Sequence, residues 1–272
     1  ALAIAALLAC PMAAAQDSEA TELDRVMVMA TRRAIDIDSV PVAVTAIEGE
    51  ELVNNTVLDT QSLSMLAPSL VVTTSGSEAS GAVLRMRGVG TTASNPGLEG
   101  SVGVLVDGVY RSRAGLALSD LVDIEQVEVL RGPQSTLFGK NTSAGVVNVR
   151  TKLPTFHNEG FVAASLGNFD SRVFSGAWSG PVLGDTLALR FTAQYNERDG
   201  YVENLFDGKN YNDRDRWLLR TQALWTPSEN ISLRLVADAV RKRESCCAAP
   251  YTRYGATAAW LRALGATLLE PD

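Results

Sequence analysis

From Leu187 to Asn196 the chain alternates without interruption. Leu187, Leu189, Phe191, Ala193 and Tyr195 fall on one side, and Ala188, Arg190, Thr192, Gln194 and Asn196 on the other. A repeat of two residues belongs to an extended strand and not to a helix, whose apolar positions recur at three and four. Residues 231–239 repeat the pattern, with Ile231, Leu233, Leu235, Ala237 and Ala239 against Ser232, Arg234, Val236 and Asp238. The connections alternate as well. "PVLGD" (181–185) and "TPSEN" (226–230) are tight turns, whereas 199–212 and the sequence after Lys242 are long and polar. Five strands are expected, at 160–166, 171–179, 186–198, 213–225 and 230–242. Strands of about ten residues joined alternately by short turns and long loops are the pattern of a membrane-spanning β-barrel. Trp178, Tyr195, Tyr201, Trp217 and Trp225 fall near strand ends, where an aromatic girdle would lie. A soluble antiparallel sandwich alternates equally well, so both readings stand at this point.

Ahead of Pro154 the texture is mixed. "VAVTAI", "SLVVTT", "AVLRMRGV", "SVGVLVDGVY" and "IEQVEVL" read as strands separated by Gly, Ser, Asn and Pro clusters. Asp59 is a plausible N-cap for a helical stretch holding Leu63 and Leu66 and ended by Pro68. This predicts a small α+β domain. In 272 residues with 46% hydrophobic and 20% charged side chains there is material for one or two packed domains. The net charge of -7 argues against a nucleic-acid partner, which needs a basic surface to displace counterions.

The first residues read as an export signal. Ala1 to Ala9 is apolar, Ala13 to Ala15 offers a small-residue cleavage site, and Gln16-Asp17 begins polar sequence, although no initiating Met or basic region precedes them. Leu7-Leu8-Ala9-Cys10 also fits a lipoprotein signal with Cys10 acylated, and the later cleavage site is equally good. No other run approaches the ~18 apolar residues of a spanning helix. After an acidic tail comes "DRVMVMATRR", with a hydrophobic island at Val26 to Ala30. Such an island can add as a strand to a sheet edge of another protein, or serve as an ordinary first strand of the following domain.

Motifs for chemistry fail on spacing. Gly132 and Gly139 enclose six residues where a phosphate-binding P-loop has four, and Lys140 precedes Asn141 instead of Ser or Thr. Gly88-Val89-Gly90 opens a loose dinucleotide fingerprint, but "TTASNPGLEG" with Pro96 forms no helix. There is no nucleophile elbow and no histidine near a candidate nucleophile, and His157 reads as a linker residue. Asp213 and Asp215, interleaved with Arg214 and Arg216, read as a solvated charge cluster in preference to a calcium loop. Cys246-Cys247 reads as a loop staple or as bridging to cysteines further along, since a disulfide between neighbours is strained. No residue constellation supports an enzyme, and neither a metal nor a cofactor is expected.

"LRGPQSTLFGKNTSAGVVNVRTKLP" (130–154) resembles the end of the plug domain of TonB-dependent outer-membrane receptors. Leu84-Arg85-Met86-Arg87-Gly88-Val89-Gly90 resembles that plug's earlier Arg-Gly motif, "SVGVLVDGVYRS" and "IEQVEVLRGP" supply the segments between, and "DRVMVMATRR" resembles the TonB box. The likeness is specific over 24–155 and architectural over 156–243. It implies an α+β plug domain followed by the first strands of a transmembrane antiparallel β-barrel of about 22 strands, about five of them here. On that reading the chain divides into 1–15 signal peptide, 16–34 periplasmic tail with the TonB box, 35–154 plug and 155–272 the start of the barrel, and it is an N-terminal part of a whole receptor.

The resemblance also implies roles. Asp24, Arg25, Val26, Met27, Val28, Met29 and Ala30 would bind TonB in the periplasm, with Val26, Met27 and Val28 adding as a strand. Arg87, Gly88, Arg131, Gly132, Pro133, Gly139 and Gly145 are the plug signature, with Arg87 and Arg131 expected to lock against barrel carboxylates further along. Ligand contacts would come from Val89, Gly90, Thr91, Thr92 and Asn95, and from Tyr110, Arg111 and Arg113. The implied ligand is a ferric siderophore, with cobalamin, another metal chelate or a glycan as alternatives, carried across the outer membrane among its lipids. The tail is too short for an added signalling domain. The rival class is a passive porin or a soluble periplasmic binding protein with a plug-like domain.

Overall fold

The computed structural model describes residues 25–57, 60–74, 82–90, 99–117, 120–205, 207–245, 248 and 255–266. The expected export signal, Asp24, Asp59, Thr91, Thr92, Asn95, Cys10, Cys246 and Cys247 lie outside them.

The first half is an α+β unit. A short strand pair, β1 (Met27–Val28) and β2 (Ile35–Asp36), leads into β3 (Val44–Glu48) and helices α1 (Gly49–Asn54) and α2 (Thr60–Leu66). Then come β4 (Leu70–Thr73), β5 (Val83–Met86), β6 (Val102–Val106), β7 (Val109–Tyr110) and α3 (Ala114–Ala117). The unit closes with β8 (Ile124–Arg131), α4 (Ser135–Phe138) and β9 (Gly145–Thr151). Its central sheet has the order β3-β8-β9-β6-β7, with β6 and β9 parallel.

Alternation along β8 and β9 splits this sheet between two cores. Val127, Val129, Val147 and Val149 join Ile47, Leu52 and Leu63 on the helix-covered side. Leu130 and Val146 join Leu105 and Phe138 on the other, where Val28 and Ala30 complete the cover. Arg87-Gly88 and Asp107-Gly108 each sit at the tip of a tight turn, with φ of 51° and 78° in both pairs. Two successive positive φ values are the type I′ signature, which explains why a Gly closes each.

Gly132 (φ 92°) and Gly139 (φ 83°) take left-handed turns, but Gly145 has another reason to be glycine. It opens β9, and an added Cβ would lie 2.5 Å from the Leu130 carbonyl oxygen and 3.0 Å from the Met86 methyl. Gly145→Ala is therefore expected to cost about 1–3 kcal/mol through forced separation of β8 and β9. A lowered unfolding midpoint of the full-length protein would register it, and an unchanged midpoint would refute the close-approach argument.

The second half is a five-stranded antiparallel wall, ordered β10 (Glu159–Gly167), β11 (Ser171–Leu183), β12 (Leu187–Arg198), β15 (Arg214–Ser228) and β16 (Ile231–Lys242). The two-stranded hairpin β13 (Val202–Glu203) and β14 (Asn210–Tyr211) occupies the connection read from sequence as a long polar loop, and α5 (Thr257–Ala263) follows the last strand. The wall buries its polar side. On β12, Arg190, Thr192, Gln194 and Asn196 are 3–5% exposed, while Phe191 and Tyr195 are 44% and 37% exposed. A sandwich buries the apolar face against a second sheet, so this inversion decides between the two readings in favour of a barrel wall with lipid outside. Trp217 and Trp225 lie on one strand and one face, each beside the aromatic or apolar residue of its neighbour, Tyr195 and Leu187. Eight residues at about 3.4 Å span ~27 Å along a strand, or ~20 Å across a membrane at a tilt of about 40°, close to the ~25 Å apolar band of such barrels.

Candidate functional site

Three features of the plug face functional duty: its N-terminal segment, its seat on the wall, and the loop after β7. The segment Arg25–Ala30 is folded against the plug. Met27 pairs with Asp36 and Val28 with Ile35, the Ile37 N–H donates to the Val26 carbonyl at 3.0 Å, and Val28 and Ala30 are fully buried. The Met29 N–H donates to the Glu128 carboxylate at 2.7 Å, whose second oxygen accepts from the Asn148 amide at 3.1 Å. Arg25 reaches Asp36 only at 4.0 Å from an exposed position, and Arg32 stacks over Phe138 at 5.3 Å. In this structure the island pairs as the first strand of the plug. Glu128, fully buried on β8, was hidden in a run read simply as strand, and an acid at an inward position of an apolar run was the available signal.

The seat on the wall is built from plug acids and wall arginines. Asp123, with φ 56° just ahead of β8, accepts from Arg190 Nε and Nη2 at 2.7 and 2.6 Å and from the Thr192 hydroxyl at 2.6 Å. Both partners are shut from solvent, at 0% and 3% side-chain exposure, and Arg190 Nη1 donates on to Glu159 at 2.7 Å. A bidentate fork of this kind matches the plane of the carboxylate and fixes orientation as well as distance. Asp107, from the tip of the β6–β7 turn, accepts from the Thr151 N–H and hydroxyl and pairs with Arg234 at 3.1 Å. Arg216, only 1% exposed, is bracketed by Glu244 and by Asp120 at 3.7 Å. That corrects the expectation of a solvated cluster at 213–216: the strand's inward position takes Arg216 into the plug seat, where two acids offset its desolvation. The partners expected for Arg87 and Arg131 are not among the described residues, where Arg131 donates to the Ala43 carbonyl at 3.3 Å instead.

The loop after β7 opens on a cavity of about 470 Å³. Tyr110, Arg111 and Arg113 line it from the plug, and Leu218, Arg220 and Asp238 from the wall. Val89 and Gly90 do not reach it; Val89 is 58% exposed beyond the Arg87-Gly88 turn. Tyr110 is positioned by the signature stretch itself. The Asn141 amide donates to its hydroxyl at 2.9 Å and to Glu99 at 2.7 Å, and Lys140 donates to Glu99 at 2.8 Å. The Lys140 and Asn141 hydrogen bonds hold the Glu99 carboxyl below its ordinary value, and Glu99 raises Lys140. The pair is thus complete above the usual carboxylate range and is lost as pH falls through the lowered Glu99 value. Where a P-loop lysine would meet phosphate, Lys140 has a carboxylate partner, Glu99.

Comparison with known proteins places these features. Residues 36–146 match the TonB-dependent Receptor Plug Domain. The pesticin receptor of Yersinia pestis is 28% identical over 205 residues, 75% of this chain and 30% of that protein. The chain therefore spans about a third of the length of such relatives. Two solved structures share the fold: the ferric yersiniabactin uptake receptor FyuA from Yersinia pestis, with TM-score 0.68 and 24% identity over 73% of this chain and 31% of that one, and the pyoverdine outer membrane receptor FpvA from Pseudomonas aeruginosa bound to pyoverdine, with TM-score 0.66 and 18% identity over 79% and 30%.

Proposed function

We propose that the whole protein imports a ferric siderophore into the periplasm with energy delivered through TonB; residues 36–146 match the TonB-dependent receptor plug domain, and the strands from Glu159 form a wall that continues from it. The observation that carries this reading is the plug seated by buried ion pairs on the polar face of a lipid-facing wall. A passive porin has no use for such a domain. The relatives named for ferric yersiniabactin and pyoverdine favour a siderophore over cobalamin or a glycan.

Residues 25–30 are the segment for TonB to capture. Strand addition needs free main-chain donors and acceptors, so capture has to lift Val28 and Ala30 from the face they cover and release the Met29 N–H from Glu128. Glu128 within β8 and the wall anchor Asp123 just ahead of that strand share one short stretch of chain, which gives a pull on the segment a short covalent route to the seat. The loop bearing Tyr110, Arg111 and Arg113 lies toward the end of the wall with the long connections, the outer end of such a barrel, and would contact the ligand.

Iron-limited cells carrying the intact gene, its deletion, or the intact gene without TonB test the proposal with ferric yersiniabactin and ferric pyoverdine among a panel of labelled ferric siderophores. Uptake of at least one is expected only with both the gene and TonB present. Uptake through this protein that persists without TonB, or a product found in the soluble periplasm, would overturn it.

A further inference from the structure

The cavity beside Tyr110 carries an imbalance of charge. Three guanidinium groups, Arg111, Arg113 and Arg220, line it with two carboxylates, Asp120 and Asp238. Asp120 already faces Arg216 at 3.7 Å. Asp238 serves two cations at once, accepting from Arg220 Nε at 2.7 Å and lying 3.8 Å from Arg111 Nη2. Arg220 is 7% exposed, yet its Nη1 is buried with no acceptor. A buried guanidinium N–H without an acceptor has lost its water and gained nothing in return, so Asp238 by itself leaves Arg220 incompletely satisfied. The Tyr110 hydroxyl accepts from Asn141, which leaves its own proton to donate. The lining thus offers several donors and a surplus of positive charge, and its one shared acceptor is a carboxylate.

We propose that this cavity binds a carboxylate group of the transported ligand, that Arg220 is its principal wall contact, and that Asp238 is the internal carboxylate with which the ligand competes. This deepens the importer reading and rests on it for the identity of the ligand-facing loop. A planar guanidinium pairs with a carboxylate through two parallel N–H bonds, and Arg220 now spends only Nε on Asp238. The Arg111–Asp238 contact is the longer of the two, so an arriving carboxylate draws Arg111 away first. That removes one tie between plug loop and wall at the moment of loading.

Calorimetry on the purified full-length receptor in low salt, with iron-free citrate as the probe and no TonB present, tests this. Wild-type protein is expected to bind citrate, and Arg220→Gln to lose about tenfold or more in affinity, the scale of one charge-assisted pair. Asp238→Asn should move the opposite way and tighten binding severalfold, since it removes the competing charge and keeps the shape. A purely structural role for the pair predicts that both variants weaken. If Arg220→Gln does not fold, Arg220→Lys carries the test: it keeps the charge, loses the fork, and is expected to bind severalfold more weakly than wild type. No citrate binding by wild type, equal binding by the Arg220 variants, or weaker binding by Asp238→Asn would overturn the proposal. Because TonB is absent, those outcomes leave the importer reading untouched. Citrate binding in a protein that transports nothing would sink that reading alone.

Discussion

Deletion of residues 24–30 from the full-length receptor is expected to abolish energised uptake while ligand binding at the outer face persists. The segment is tied to the plug's second core through Val28, Ala30 and the Met29–Glu128 hydrogen bond, and to residues 35–37 by its strand pairing and the Ile37–Val26 hydrogen bond. Removing it uncovers Leu105, Leu130 and Val146, a loss of about 1.5–3 kcal/mol for a side chain such as Val28. The larger cluster on the helix side, with Ile47, Leu52, Leu63 and the inward valines of β8 and β9, is untouched and should hold the plug together. The cavity beside Tyr110 draws no side chain from the segment. Uptake assays paired with binding of the same labelled chelate separate the two effects. Uptake that survives the deletion would remove the segment from the energy pathway, and joint loss of binding would mean that it is needed for folding instead.

Asp123→Ala should have the largest effect on stability. It leaves Arg190 buried at 3% exposure with only Glu159 and the Leu153 carbonyl for company, and strips the Thr192 hydroxyl of its acceptor. Breaking one partner of a buried pair costs about 3–5 kcal/mol, chiefly because the other charge stays desolvated. The unfolding midpoint of the purified receptor should fall, and cells should admit solutes too large for ordinary porins as the plug loosens in its seat. The double variant Asp123→Ala with Arg190→Ala should lose less than the two single losses summed, the sign of direct coupling. Additive losses would mean that the residues act independently. Arg172, paired with Asp170 on the wall's exposed surface, serves as the contrast: such pairs contribute about 0–1 kcal/mol.

Much of the architecture was written locally. Period two over Leu187 to Asn196 and Ile231 to Ala239 located wall strands to within a few residues, whereas the turns at Arg87-Gly88 and Asp107-Gly108 interrupt runs read from sequence as single strands. The plug strands were legible for the same reason: β-branched runs bounded by Gly, Pro and Asn specify an extended segment whatever it packs against. The small hairpin at 202–211 escaped because two-residue strands leave no period to read. The site was less legible. Tyr110, Arg111 and Arg113 were expected from the resemblance and do share a cavity, but of the wall residues that complete it Asp238 stood out only as a polar position of an alternating strand and Arg220 was not singled out.

Alternation states which residues share a face, and that much the sequence determined by itself, along with the plug motifs and their order. It does not state what the face meets. Whether the apolar side of β12 turned toward a second sheet or toward lipid was settled only by the buried ranks of Arg190, Thr192, Gln194 and Asn196. The docking of Val28 and Ala30, and the use of plug acids against wall arginines, were likewise decided by tertiary structure. Asp123 and Arg190 are 67 residues apart, and no local pattern can pair charges at that separation, because their attraction becomes strong only after the fold has removed both from water.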